Sequence, residues 1–436
     1  MTRACFSDSL WNEKMPDNFY GPFDRECLLN AFNPERRQDY RSVFQQDLDR
    51  ILFTGAFRRL QAKTQVFQAG EYDFYRTRLT HSLDVATVAE SIGVWLTSRH
   101  PDVQVDSHLL KAICLAHDIG HPPFGHAGER MLNELMELYG GFEGNPQTLR
   151  ILTRTIYSNP ESRGGMSPSR ALLDGVLKYK RLYRDRAGET HHFIYDDQAE
   201  VLEFCFGNAD VAGLLGDSRV NAFRSLECQI MNLADDVAYS CFDIVDGYNA
   251  RFLTPERLQS WREANPSQLD EHKRSHLDAL ILMMKESKVE ARMNRVIGEL
   301  IQSASLAPEE NFMSGRTRRH AYKIAIEPLA ESRIDLHKML CRELVFGSSE
   351  LQQMEFKGGR ILRQLGQMLF QNYLETKTKP AVLVPNDVHR AVLGAKTKAE
   401  GARLLCDYLS GMTDVYALRS YKRLLDPDYG SISELI

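Results

Sequence analysis

The chain has 436 residues, of which 43% are hydrophobic and 26% are charged, close to the averages for folded globular proteins. This composition excludes a disordered chain, a collagen-like repeat and a coiled-coil rod, and no apolar run reaches the roughly 18 residues of a membrane helix. The net charge of −5 excludes general attraction to nucleic acid, so phosphate chemistry would need local cations. The N-terminal segment lacks the apolar stretch of a signal peptide, and we therefore expect a cytoplasmic protein without membrane segments.

Apolar residues recur mostly at helical spacing along the chain, without an internal repeat or an obvious linker. The segments with this spacing are Thr80–Arg99, Ser107–Ala116, Gly125–Tyr139, Gln147–Tyr157, Ser167–Lys180 and Ser225–Tyr248. Weaker alternating patterns at residues 64–74 and 320–326 predict small hairpins. The sequence therefore predicts an all-α protein with minor β-hairpins, forming one compact unit over residues 1–436. We expect its helical core at about residues 50–255 and a C-terminal helical extension at about 256–436.

Histidine and aspartate residues point to a metal site. His81 begins one predicted helix, and His117 with Asp118 ends another, so packing of these helices would bring two imidazoles and a carboxylate together. Asp235 and Asp236 lie inside an otherwise apolar helix, where a carboxylate is costly unless it is paired or bound to metal. Helix geometry alone does not choose between these two acids. Two imidazoles and two carboxylates suit manganese, iron, cobalt, nickel or magnesium better than a closed structural zinc site.

Five stretches of the sequence together resemble one family, in order over most of residues 50–420. They are Arg78–Ser82, His117–Glu129, Phe142–Gln147, Ala234–Tyr239 and Cys406–Asp414. The combination resembles the HD-domain deoxynucleoside triphosphate triphosphohydrolases, the bacterial dGTPase-like proteins. The resemblance implies an HD-type helical core and hydrolysis of a dNTP to the deoxynucleoside and inorganic triphosphate, with one divalent metal per active site. It also implies a homo-oligomer, a hexamer or tetramer, and leaves room for a nucleotide or single-stranded DNA effector.

The same resemblance assigns roles to single residues of the metal and catalytic machinery. It implies the metal ligands His81, His117, Asp118 and Asp235, with Asp236 as the second choice, and the catalytic group His126, Glu129 and His121. Within that group His126 is the catalytic histidine, Glu129 its partner and His121 a phosphate contact. The residue spacing agrees, because His126 and Glu129 are three apart at a helix start and share a face. Such a pair can act as an acid–base dyad.

Substrate contacts are implied by the resemblance as well. They are Gln65 for the 3′-hydroxyl, Arg78, Lys178 and Tyr179 for phosphate, Tyr239 and Asp243 for the deoxyribose, and Tyr408 and Asp414 for the base pocket. Plainer interpretations exist for several of them. The run Lys178–Arg181 could be a solvated helix end, Tyr239 an ordinary core aromatic, and Tyr408 with Asp414 part of a core.

Two other functions fit parts of the sequence. One is another HD-type phosphohydrolase that acts on nucleoside monophosphates, cyclic nucleotides or guanosine tetraphosphate. The other is a nucleotide or single-stranded nucleic-acid binding module with a regulatory metal. The basic run Arg316–His320 could bind nucleic acid or an effector phosphate, although a solvated charge run is the simpler interpretation.

Overall fold

Helices form almost all of the regular structure in the computed structural model, which describes residues 19–29, 39–66, 76–157, 165–186, 191–216 and 219–429. In the first half of the chain the α-helices are α1 (Pro22–Arg25), α2 (Val43–Leu52), α3 (Gly55–Arg59), α4 (Arg78–Arg99), α5 (Ser107–Ala116), α6 (Gly125–Leu135), α7 (Gly144–Arg150), α8 (Arg170–Val176), α9 (Ala199–Phe206), α10 (Val211–Leu215) and α11 (Leu226–Asn249). In the second half they are α12 (Pro255–Ala264), α13 (Glu271–Lys285), α14 (Val289–Gln302), α15 (Pro328–Leu340), α16 (Ser349–Phe370), α17 (Asn386–Leu393), α18 (Lys398–Ser410) and α19 (Asp414–Leu425). The predicted all-α class is confirmed. None of these helices, in the described part of the chain, is both long and apolar enough to cross a membrane.

Among the described residues, paired strands are limited to one antiparallel ribbon. β1 (Ala304–Pro308) pairs with β2 (Tyr322–Ile326), and Ala304 faces Ile326 across the ribbon. β2 agrees with the strand pattern predicted at residues 320–326. At the other predicted hairpin, Thr64 forms an isolated bridge with Thr77, and residues 67–75 lie outside the described residues.

The buried apolar side chains form two clusters. The larger one joins α4, α5 and α11, where Ile92, Ile113 and Val237 have no exposed surface, and it extends through residues 258–351. The smaller one joins α6 to α16 and α18, with Leu132 and Leu362 at most 1% exposed. The loop between α5 and α6 therefore leads from the larger core to the smaller one.

The basic run Arg316–His320 is not a solvated surface. Arg319 is 1% exposed and donates hydrogen bonds to Glu227 Oε2 and Asp174 Oδ2, each at 2.9 Å. His320 is also buried, and its Nε2 lies 3.0 Å from Asp174 Oδ2. The interpretation as a solvated charge run is therefore wrong for Arg319 and His320, because Arg319 neutralises buried carboxylates between α8 and α11 and His320 is buried against one of them.

A buried acid in α2 predicts a pH-dependent stability. Asp47 accepts a hydrogen bond from Ser169 N at 3.0 Å, and burial raises its pKa to about 6 from the ordinary 3.8. The Asp47 carboxyl group therefore loses its proton near pH 4 in the unfolded chain and only near pH 6 in the folded chain. The contribution of Asp47 to stability is complete below pH 4 and is lost as the pH rises through 6.

We expect the free energy of unfolding of the wild type to fall by about 2 kcal/mol from pH 4 to pH 6, relative to Asp47→Asn. Urea unfolding of both proteins at pH 4, 5 and 6 measures this difference. Asp49→Asn is the control, because Asp49 lies on the outer side of α2 and pairs there with Arg41, which precedes the helix. Parallel pH profiles for wild type and Asp47→Asn would contradict the prediction.

Candidate metal centre and active site

Helix packing brings the predicted metal ligands together. His81 lies in the first turn of α4, whose N-terminus is capped by the side chain of Thr77. His117 follows α5 directly, and Asp235 lies near the middle of α11. α4 packs against both α5 and α11, so the three side chains meet at one place.

The tightest group of metal-ligating side chains consists of His81, His117 and Asp235, whose ligand atoms all lie within 4.8 Å of one another. Asp235 Oδ1 is 3.2 Å from His81 Nε2 and 3.9 Å from His117 Nε2. His117 Nδ1 lies 2.6 Å from Cys114 O, and the other ring nitrogen, Nε2, is buried without a hydrogen-bond partner. A buried polar atom normally has a partner, and a divalent cation would supply one. These residues therefore fit a divalent metal ion.

The two adjacent acids of α11 have different surroundings. Asp235 faces the two histidines, and its pKa lies below the ordinary range because His81 and His117 outweigh the effect of burial. Asp236 instead accepts a hydrogen bond from Lys338 Nζ at 2.5 Å. Of the two acids that helix geometry could not separate, Asp235 is thus the one beside the imidazoles.

Asp118 lies beside this group and connects it to a second set of residues. Asp118 Oδ1 is 3.4 Å from His117 Nε2 and 3.0 Å from His121 Nδ1. Arg78 Nη1 donates a hydrogen bond to Oδ2 at 2.8 Å. Burial would raise the pKa of Asp118, but the two histidines and the guanidinium hold it well below its ordinary value. Asp118 is therefore ionised between two imidazoles, and Arg78 Nε is buried without a partner.

The second set contains the predicted acid–base dyad. His126 Nδ1 lies 3.2 Å from Glu129 Oε2, and Gly144 N donates to Glu129 Oε1 at 2.7 Å. Burial opposes ionisation of Glu129, yet the hydrogen bond with His126 and the charge of His121 lower its pKa to about 2. The His126 side chain is 69% exposed, whereas Glu129 is 12% exposed. The dyad thus presents an accessible imidazole on a fixed, ionised carboxylate.

The loop that carries these histidines is tightly constrained. Phe124 and Gly125 have left-handed backbone angles, with φ of 63° and 55°, which is unusual for a bulky residue such as phenylalanine. Gly120 packs so closely on α7 that an added Cβ would lie 2.2 Å from Gly144 O. Lys63 Nζ donates hydrogen bonds to His121 O at 2.5 Å and to Ser410 O at 2.9 Å. The packing of Gly120 on α7 and the hydrogen bond from Lys63 to His121 O therefore hold the loop in place between the two cores.

Lys178 and Tyr179 lie at the edge of the metal group. Lys178 Nζ is 4.0 Å from Asp235 Oδ2, so one cation stands beside the candidate ligands. The Tyr179 ring stacks on His192 with centroids 4.5 Å apart, and burial raises the pKa of Tyr179 to about 12, which keeps the phenol protonated. Lys180 is different, because it is buried and its Nζ donates to a backbone carbonyl at 2.9 Å. The segment Lys178–Arg181 is thus neither a fully solvated helix end nor a uniform cationic patch.

Tyr239 and Asp243 extend from Asp235 along α11. The Tyr239 ring is half-buried, with its centroid 5.9 Å from that of Phe346. Asp243 is 4% exposed, and its Oδ2 has no hydrogen-bond partner. Burial raises the pKa of Asp243 to about 8 against the opposing charge of His81, so this group is mostly protonated at neutral pH. A buried, neutral carboxyl group with an unused oxygen is well suited to a polar, uncharged ligand group.

The last three predicted substrate contacts have different surroundings; they are Gln65, Asp414 and Tyr408. Gln65 Oε1 is buried without a partner next to Thr64, which bridges to the start of α4. Asp414 accepts hydrogen bonds from Phe124 N at 2.9 Å and from both N and Oγ1 of Thr64. Tyr408 OH lies 3.2 Å from the hydroxyl of another tyrosine of the C-terminal region, beside a cavity of about 720 Å³. Of these three, Gln65 is the one with a buried polar atom that has no hydrogen-bond partner.

We expect Asp414 to act on stability. Asp414→Ala would leave the partly buried backbone amides of Thr64 and Phe124 without this acceptor, at a cost of up to about 1–3 kcal/mol for each group that stays unpaired. Chemical unfolding of wild type and Asp414→Ala measures the loss, with exposed Asp428→Ala as the control. A variant with wild-type stability but weaker nucleotide binding would instead support the base-pocket role.

Lys63 is the main residue at this site that the sequence did not suggest. It is 1% exposed, and burial together with the nearby Arg59 and Arg78 lowers its pKa to about 7. A lysine between an alanine and a threonine gives no sign in the sequence that its amine will be buried. Its two carbonyl partners lie 58 and 347 positions away, and only the fold brings them together.

Comparison with known proteins agrees with this geometry. The profile of the HD domain family matches residues 78–239, and that of the phosphohydrolase-associated domain matches residues 324–423. A deoxyguanosinetriphosphate triphosphohydrolase-like protein of Shewanella halifaxensis is 35% identical over 92% of this chain and 96% of its own. Similar proteins of Deinococcus radiodurans and Vibrio cholerae are 33% and 34% identical, over 91% and 89% of this chain and 95% and 94% of theirs. The likeness therefore spans nearly the whole chain.

Proposed function

Because the chain belongs to the family of deoxyguanosinetriphosphate triphosphohydrolase-like proteins with an HD domain, we propose that it hydrolyses deoxynucleoside triphosphates to the deoxynucleoside and inorganic triphosphate. The observation that carries the proposal is the contact between two sets of residues. Asp118 Oδ1 lies within 3.4 Å of both His117, in the metal group, and His121, beside the dyad. A reacting phosphate at this junction would have metal ligands on one side and an acid–base pair on the other.

His81, His117, Asp118 and Asp235 would hold the divalent metal. When bound, such an ion polarises a phosphoryl oxygen and lowers the pKa of a bound water. The accessible imidazole of His126 would move the proton at its ring nitrogen, and Glu129 would orient that ring and stabilise its charged form. His121 and Arg78 would contact phosphate oxygens.

The remaining residues would position the substrate. Lys178 supplies positive charge beside Asp235, and the protonated phenol of Tyr179 can donate a hydrogen bond to a phosphate oxygen. Tyr239 and Asp243 would pack against the sugar and exclude a 2′-hydroxyl. The unused Oε1 of Gln65 would accept a hydrogen bond from the 3′-hydroxyl. Assembly as a homo-oligomer and activation by an effector stay predictions of the family resemblance.

The proposed reaction is tested by product analysis. Purified protein is incubated with manganese and each of dATP, dCTP, dGTP, dTTP and GTP, and the products are resolved by anion-exchange chromatography. We expect deoxynucleoside plus triphosphate from at least one dNTP and no turnover of GTP. A monophosphate or pyrophosphate product would favour another HD-type phosphohydrolase. Binding of all dNTPs without turnover would favour the nucleotide-binding module.

A further inference from the structure

A second group of metal-ligating side chains lies beside the first. It consists of His121, His126 and Glu129, whose ligand atoms all lie within 4.8 Å of one another. The two imidazole rings have centroids 6.2 Å apart and are nearly perpendicular. Glu129 Oε1 accepts the hydrogen bond from Gly144 N, while Oε2 faces His126 at 3.2 Å. Two imidazoles and one carboxylate oxygen thus converge on one point.

The charges around this group favour a cation, but less strongly than at the first group. Glu129 and Asp118 supply two carboxylates, with Glu129 Oε2 3.2 Å from His126 Nδ1 and Asp118 Oδ1 3.0 Å from His121 Nδ1. A carboxylate on the far ring nitrogen of a metal-binding histidine is a common outer-shell partner. Arg78 opposes a cation, because its guanidinium pairs with Asp118 and lies against Gly125. One guanidinium beside two carboxylates leaves a net negative site.

We infer that His121, His126 and Glu129 form a second, weaker divalent-cation site whose occupation competes with proton transfer by His126. Two imidazoles and a carboxylate suit borderline cations such as Co²⁺, Ni²⁺ and Zn²⁺. A histidine nitrogen binds a metal only when it carries no proton, so the cation and the transferable proton exclude each other. The competition rests on the proposed function, whereas the site itself does not.

The site is tested by titrating the metal-free full-length protein with Co²⁺ without nucleotide, using equilibrium dialysis and visible absorption. We expect two equivalents of Co²⁺ per chain for the wild type and one for Glu129→Gln, which keeps the first group. Asp235→Asn should lose the tighter equivalent and keep the weaker one. Glu134→Gln is the matched control, because Glu134 lies on the exposed face of the same helix and pairs with Arg363. This variant should bind two equivalents of Co²⁺. Saturation of the wild type at one equivalent, or two equivalents bound by Glu129→Gln, would overturn the inference.

The competition is tested on the wild type with the best dNTP from the product analysis. Turnover should rise as the first equivalent of Co²⁺ binds and fall at least about tenfold as the second binds, since acid–base catalysis contributes about 10²–10⁴-fold. A rate that stays constant while the second equivalent binds would overturn the competition. If no dNTP is hydrolysed, the proposed function fails, and the binding stoichiometry still decides whether the second site exists.

Discussion

Asp235→Asn is expected to remove the bound metal and the dNTP hydrolysis together. Asp235 is the only acid (within the described residues) in the tight group with His81 and His117, and its neutral replacement cannot balance the charge of a divalent ion. Loss of an outer-shell partner typically lowers metal affinity by 10–100-fold, so we expect loss of this direct ligand to lower it by more than about 100-fold. Metal content after gel filtration, measured by mass spectrometry, and the rate of triphosphate release report the two effects.

The neighbouring acid provides a matched control. Asp236→Asn makes the same chemical change one position away, where the side chain pairs with Lys338 at the protein surface. We expect this variant to keep its metal and its rate. Equal loss in both variants would indicate that the helix, rather than the ligand, is damaged. Full metal content in Asp235→Asn would remove Asp235 from the ligand set.

His126→Ala is expected to lower kcat by about 10²–10⁴-fold while the metal ion held by His81, His117 and Asp235 stays bound. The His126 side chain is 69% exposed, so its truncation creates no cavity and should not change stability. Its partner Glu129 keeps a hydrogen bond from Gly144 N and therefore stays in place. Single-turnover kinetics under saturating manganese separate the chemical step from substrate binding.

His108→Ala is the control for this variant. His108, like His126, is the second residue of its helix, is about half exposed and has a carboxylate close by. It lies outside the metal group and the dyad, so we expect an unchanged rate. If His126→Ala hydrolyses dNTPs at the wild-type rate, His126 takes no part in proton transfer and the dyad assignment is wrong.

Local pattern predicted segments that overlap six of the described α-helices, and it predicted the residues that meet at the metal group. The segment predicted at Ser107–Ala116 agrees residue for residue with α5. Its apolar stripe runs the length of the helix, and an N-terminal cap marks where the helix begins. The segment predicted at Ser167–Lys180 was too long, since α8 covers only Arg170–Val176. The residues that flank α8 are largely buried although they are not helical. Hydrophobicity alone does not distinguish a buried helix from buried irregular chain.

Long-range contacts account for what the sequence could not supply. Helix geometry does not choose between Asp235 and Asp236, and contacts with distant residues separate their surroundings: His81 and His117 lie beside Asp235, whereas Lys338 pairs with Asp236. Arg319 belongs to a basic run that is typical of a surface, yet buried carboxylates on α8 and α11 enclose it. Charge patterns along a chain do not reveal such partners, because they depend on how distant helices pack.

The hydrogen bond from Phe124 N to Asp414 joins residues 290 positions apart, and it has a consequence for synthesis of the protein. The left-handed turn before His126 is anchored by a residue close to the end of the chain. During translation, the helices of the larger core can pack long before Asp414 leaves the ribosome. We therefore expect a nascent chain to bring its metal ligands together early and to brace its catalytic turn only after Asp414 has been synthesised.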